Sequence, residues 1–246
     1  VARRSVSPER AQLLHLRAAR ARHDKPELAA QHYWQALNDG TQTLDSELMS
    51  QIAEIFARAA ATQSLRGDTA AGTLWYDRAL ERATSPAARA STLAKRARTF
   101  ERLMQLDDAQ RNLDQADLLS SALDSITKAG LLNARATLLG TYFRDASATT
   151  QLAHKALDML EGKESLEASS ERGNALHNLG LAKWLEQDLP TAETYLRQAL
   201  EIRRALGDLE KVGDTLQNLG LVLTDQRNQE ARDIFEEALA LWERLG

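Results

Sequence analysis

The chain has 246 residues, a formal net charge of −4 and no cysteine. The charge gives the molecule as a whole no attraction to DNA or to an anionic membrane surface, and the missing thiols exclude disulfides, thiolate metal sites and cysteine nucleophiles. Ala, Leu, Arg, Glu and Gln dominate, aromatics are 5% and prolines number 4, which points to an all-α protein. No run approaches the ~18 apolar residues of a membrane span and no signal-like segment opens the chain, so a cytoplasmic setting is expected. The chain starts at Val1 and stops at Gly246 just past a helical pattern, and it reads as a piece of a longer protein.

In chain order, Arg3-Arg4 with Ser5, Ser7 and Pro8 read as a linker into a first helix. Ala29, Tyr33, Ala36 and Leu37 then show the i, i+4, i+7, i+8 spacing of an apolar helix face, and Asn38-Asp39-Gly40-Thr41 reads as a turn. Gly67-Asp68 breaks a second hairpin, whose later helix carries Gly72, Tyr76, Ala79 and Leu80. After Thr84-Ser85-Pro86 the pattern returns as Ala109, Leu113 and Ala116, and more weakly as Thr149, Ala153, Ala156 and Leu157. Glu161 to Ser165 is the next turn. Asn178-Leu179-Gly180-Leu181 is followed by Ala192, Leu196, Ala199 and Leu200; after Gly207-Asp208, Asn218-Leu219-Gly220-Leu221 is followed by Ala231, Phe235, Ala238 and Leu239. The anchoring alanines 36, 79, 116, 156, 199 and 238 are spaced by 43, 37, 40, 43 and 39 residues. A period of that length marks a helical repeat array. Gly180 and Gly220 are expected opposite Ala192 and Ala231, where two helices cross closely.

These residues resemble the tetratricopeptide repeat: Leu-Gly in a first helix, Gly-Asp at a turn, then Ala, an aromatic or Leu, and Ala-Leu in a second. The 40-residue interval and Ala199 to Asp208 resemble the longer-repeat members, among them kinesin light chains, the spindle adaptors with Leu-Gly-Asn repeats, and sensor modules of bacterial transcriptional activators. The resemblance implies a right-handed superhelical array of about six antiparallel hairpins, with repeats over about 9–40, 48–84, 89–121, 129–162, 172–207 and 212–246. Residues 120–150 match the pattern least, and a bend there would divide the array into two halves.

The resemblance also implies a concave groove lined by the first helices. Carried over repeat by repeat, its ligand-facing positions are His15, Arg58, Lys95, Arg135, Asn178 and Asn218, with Arg98, Arg102, Leu181, Trp184 and Leu221 beside them. For Arg135, Leu139-Gly140 offers a competing register. Such a groove is basic at first and then amide-lined and apolar, which suits an acidic peptide or protein segment. The plainer reading makes the same Arg and Lys solvated or internally paired, and has Asn178 and Asn218 bond between neighbouring helices. Trp34, Trp75 and Trp242 are expected in packing, with Trp184 able to face the groove.

The histidines are scattered, Asp107-Asp108 and Glu236-Glu237 read as a turn and a solvated face, and no phosphate-cradling loop or nucleophile elbow appears. No metal, cofactor or catalytic residue is therefore expected. Nor is nucleic-acid contact, a membrane or an enzyme. The last helix, 230–245, keeps Ile234, Phe235, Leu239, Leu241, Trp242 and Leu245 without a polar capping helix, which points to further repeats or to self-association. Two functions follow: sensor or interaction module of a bacterial multidomain transcriptional regulator, or a free-standing adaptor.

Overall fold

A computed structural model of the chain describes residues 7–39 and 44–245, with the side chains of Asp39, Leu65 and Leu245 left aside. The Arg3-Arg4 linker and most of the turn at Gly40-Thr41 lie outside the described residues. The chain is all-α. Among the described residues the helices are α1 (Pro8–Arg20), α2 (Pro26–Asp39), α3 (Ser46–Leu65), α4 (Thr69–Arg82), α5 (Pro86–Arg102) and α6 (Leu106–Asp117), then α7 (Ser125–Thr141), α8 (Ala146–Met159), α9 (Leu166–Leu185), α10 (Leu189–Leu206), α11 (Leu209–Asp225) and α12 (Glu230–Leu245). Each odd-numbered helix packs on the even-numbered helix that follows it, which makes hairpins of the repeat kind.

Local chemistry sets the helix starts. Pro8, Pro26, Pro86 and Pro190 all stand in a first turn, where a missing N–H loses no hydrogen bond. Side chains of Asp45, Asp68, Ser85, Asp124, Asp145, Ser165, Asp188 and Asp208 accept from backbone N–H groups of the helices they precede. Gln105, before α6, makes no such bond.

The turn within a hairpin repeats one backbone conformation. Gly67 has φ 94° between α3 and α4, and Met104, Arg144, Gln187 and Arg227 take φ of 58°, 54°, 65° and 57° at the corresponding place in the next four hairpins. A left-handed residue lets the chain reverse within a few residues, and only the first of the five is glycine.

Contacts divide the chain into two compact units, Val1–Ala122 and Leu123–Gly246. The division falls just after a 3-10 turn at Ser120–Ala122, within the stretch where the repeat pattern is weakest. In the first unit, Ala30, Tyr33, Ile52, Phe56, Trp75, Tyr76 and Ala79 form a buried cluster, with Trp34 packed against it. In the second, Ala153, Ala156, Leu160, Ala175 and Leu179 form one cluster, and Leu196, Leu200, Leu216, Leu219, Leu223, Ile234 and Leu241 another. Trp242 packs on Gly213 of α11.

The close crossings are tighter than the small-residue pattern implies. A Cβ added to Gly180 would lie 2.6 Å from Leu196 Cγ and 3.3 Å from the Ala192 carbonyl, so Leu196 is the nearer neighbour. At Gly220 the neighbour is the Phe235 ring, 2.7 Å from the added Cβ, in place of Ala231. The alanines bring the backbones together, and the larger side chain one turn later fills the space the glycine leaves.

Candidate functional site

In the first unit the positions implied by the repeat lie on α1, α3 and α5. His15 of α1 is half-buried, with its Nδ1 3.2 Å from Nδ1 of His32 on α2. Arg58 is exposed on α3. Lys95 of α5 forms an ion pair with Glu54 of α3, so part of its charge is already met within the unit. Arg98 is half-buried and Arg102 exposed. Beside them, Arg96 pairs with Asp77 at 3.1 Å and its guanidinium lies 5.4 Å from the Phe100 ring. Helix α5 therefore carries Arg89, Lys95, Arg96, Arg98 and Arg102 against one acid, Glu101.

That acid faces inward. Glu101 is 4% exposed, its Oε1 has no hydrogen-bond partner, and burial pushes its pKa up to about 7 against the pull of Arg98 and Arg102. At pH 7 it is therefore about half protonated and offsets only part of the positive charge around it. Tyr76 anchors α4 to the same helix: its hydroxyl lies 2.6 Å from Thr99 Oγ1 and 3.2 Å from the Lys95 carbonyl, and burial lifts its pKa to about 12.

The basic excess belongs to this unit. Residues 1–122 hold seventeen Lys and Arg against fifteen Asp and Glu, whereas residues 123–246 hold fourteen against twenty. The negative balance of the chain comes from its second half.

In the second unit the corresponding positions lie on α7, α9 and α11, where a line of buried polar groups joins the helices. Asn178 of α9 is 1% exposed; its Nδ2 donates to the Asn133 carbonyl of α7 at 3.0 Å, and its Oδ1 accepts from Thr137 Oγ1 at 3.0 Å. Asn218 of α11 lies half-buried, with its amide 3.1 Å from His177 Nε2. Both asparagines thus span neighbouring first helices. Leu181 is buried and touches Gly140, while Leu221 is half-buried. Trp184 is half-buried and donates from Nε1 to Asp225 at 2.6 Å, with the Arg144 guanidinium 5.9 Å from its ring.

Arg135 lies half-buried on α7. In α7 it is Gly140 that occupies the crossing, against Thr149 at 3.0 Å, as Gly180 does in α9. Leu138, the position given by the Leu139-Gly140 register, is buried.

Sequence reasoning passed over the hub of this line. Arg203 of α10 is 5% exposed and reaches Asn174 Oδ1 at 3.1 Å, the Lys211 carbonyl at 3.1 Å, His177 Nδ1 at 3.0 Å and, more closely, Thr215 Oγ1. Glu171 extends the line, accepting from Asn133 Nδ2 at 2.9 Å and Asn174 Nδ2 at 3.0 Å. One signal was available: Arg203 continues the stripe of Leu196, Ala199 and Leu200, where the next hairpin has Trp242. Burial and the adjacent Arg203 charge drive the His177 pKa well below its ordinary value.

Among the described residues no group of three or more His, Cys, Asp or Glu could hold a metal ion, and no helix is long and apolar enough to cross a membrane. On α12, Leu239 is 59% exposed, whereas Leu200, its counterpart on α10, is 4% exposed within the α10–α11 cluster.

Residues 171–244 match the family model described as tetratricopeptide repeat. No curated protein matches the sequence. Among solved structures, the fold is similar to BtubC (BKLC) from P. vanneervenii, with 18% identity, TM-score 0.60, and coverage of 98% of this chain and 93% of that one. It is also similar to a signal transduction ATPase with numerous domains (STAND) that carries a tetratricopeptide repeat sensor, from Pyrococcus horikoshii, with 18% identity and TM-score 0.65. There the match covers 99% of this chain but 35% of the other, so the chain spans about a third of that protein's length.

Proposed function

We propose that this chain, a tetratricopeptide-repeat protein, is a protein- or peptide-binding scaffold that serves as the sensor or interaction module of a bacterial multidomain transcriptional regulator. It carries no reaction of its own, works in the cytoplasm, and takes an acidic segment of its partner on the α3–α5 face of the first unit. The observation that supports the site is the charge of α5. It carries five cations, of which Lys95 already meets Glu54 of α3, and its one acid is buried with a pKa of about 7. Arg58 adds an exposed guanidinium from α3, and the Lys95–Glu54 pair can exchange its partner for a ligand carboxylate with little change in solvation. The regulator role draws on the Pyrococcus protein, in which a repeat array is the sensor of an ATPase with numerous domains.

The test is calorimetric titration of the chain with a glutamate-rich peptide and with a lysine-rich one. Micromolar binding of the first alone is expected, weakening with salt. The triple substitution of Arg58, Lys95 and Arg98 by Glu should abolish it. Unchanged affinity in that variant, or equal binding of the lysine-rich peptide, rejects the site. A free-standing adaptor would bind the same peptide, and the two readings part on whether a nucleotide-binding and a DNA-binding domain accompany the array.

A further inference from the structure

His177 is caught between two groups that the structure presents as donors: Arg203 Nη1 lies 3.0 Å from its Nδ1 and the Asn218 amide 3.1 Å from its Nε2. A guanidinium has no acceptor, so Nδ1 must carry a lone pair. A neutral imidazole then carries its proton on Nε2, and that N–H needs an acceptor. The imidazolium is disfavoured, because it would point a second N–H at the Arg203 cation. The ring orientation is itself fixed, since both nitrogens face polar groups and a flipped ring would put carbons there.

We infer that His177 is a positioning residue that turns Asn218 so that its Oδ1 accepts from Nε2–H and its NH2 group points outward as a donor. The assignment rests on the repeat-groove reading of Asn218 and sharpens it. The asparagine then offers a ligand donors only, and the group that reaches it is an oxygen acceptor: a peptide carbonyl or a carboxylate. Arg203 sets this from below. It is held by Asn174, Lys211 and Thr215, so it cannot turn away from His177 without stranding a buried charge. Information thus runs from a residue on a second helix, through a histidine on α9, to the polarity of a side chain on α11.

The two orientations of Asn218 differ in an observable. In the uniformly 15N-labelled full chain, the expected result is a one-bond N–H coupling at His177 Nε2, none at Nδ1, and no coupling across the hydrogen bond between Nε2 and Asn218 Nδ2. An unprotonated Nε2 coupled to Asn218 Nδ2 overturns the assignment. His177→Gln, which can accept from Arg203 and donate to Asn218, should leave the Asn218 amide resonances near their native positions. His177→Leu should move them and broaden them by rotation; identical spectra for both variants would also overturn it.

Acetate, a bare carboxylate, gives the ligand arm. Shifts of the Asn218 NH2 protons on its titration are expected, and their absence while the coupling pattern holds overturns the recognition role of Asn218. The coupling pattern, read without acetate, and the glutamate-rich peptide, read on α3 and α5, keep that failure apart from failure of the first-unit site.

Discussion

Gly180 and Leu196 occupy one space: a Cβ on the glycine would sit 2.6 Å from Leu196 Cγ, a separation that real side chains do not reach. The α9–α10 crossing distance is therefore set by the absence of a side chain. Gly180→Ala should destabilise the chain by ~1–3 kcal/mol despite the better helix propensity of alanine, because Leu196 is fully buried and has nowhere to retreat. Leu196→Ala in the same chain should make room for the added methyl, so the double variant should lose less than the two single losses added together. Denaturant midpoints of the four proteins measure this, and strict additivity would contradict it.

Buried Glu101 makes stability depend on pH in the direction opposite to a paired carboxylate. Its pKa rises from 4.5 to about 7 on folding, so the native state holds a proton that the unfolded chain releases. Stability is then full below about pH 4.5, falls as pH rises, and levels off above about pH 7, with a total on the order of 3 kcal/mol. Glu101→Gln keeps the shape without the proton and should be flat across that window and more stable than the native chain at pH 8. A native chain that gains stability relative to this variant as pH rises would contradict the account.

His177 acts at acid pH. Its folded pKa lies well below 6.5, so the unfolded chain binds the proton first. The contribution is fully present above pH 6.5 and is lost as pH falls through the lower folded value. Thermal unfolding of His177→Gln should show a shallower loss between pH 6.5 and 5 than the native chain. Equal slopes would mean that the ring is charged in the fold.

Helix α6 begins without a side-chain cap, at Gln105. Aspartate caps the second helix of its hairpin at positions 68, 145 and 188. Gln105→Asp should supply an acceptor for the first-turn amides and stabilise by ~0.5–1 kcal/mol, discounted for Asp107 and Asp108 nearby. The midpoint of urea unfolding reads the gain.

Met104 holds φ 58° with its side chain 66% exposed, so it bears backbone strain and contributes little packing. Met104→Gly should raise stability by a few tenths to ~1 kcal/mol, since relief of the left-handed conformation outweighs the added freedom of the unfolded chain. Met104→Val, branched at Cβ, should lower it. The pair of variants compared by calorimetry tests the sign.

The repeat was legible because packing of this kind is periodic. Ala79, Ala116, Ala156 and Ala199 recur because each marks a place where two helix backbones approach, and all four are buried. The turns were legible where glycine stood in them, as at Gly67 and Gly207, and hidden where Arg144, Gln187 and Arg227 adopt the same conformation without a glycine to signal it. The division after Ala122 fell where the pattern weakens, a place that the spacing marks without saying what happens there.

The candidate site was legible only as positions. Composition and spacing determined an all-α helical repeat, because a helix face depends on residues three and four apart in one chain segment, and the resemblance to the tetratricopeptide repeat implied that Arg58, Lys95, Arg98, Asn178 and Asn218 stand on first helices. Only the tertiary structure decided what those side chains do. Lys95 meets Glu54 from 41 residues away, Asn178 is buried against Asn133 45 residues away, and Asn218 answers to His177, which answers to Arg203. Hydrogen bonds and ion pairs are fixed by distances of about 3 Å between atoms on different helices, and no periodicity within one helix carries that information.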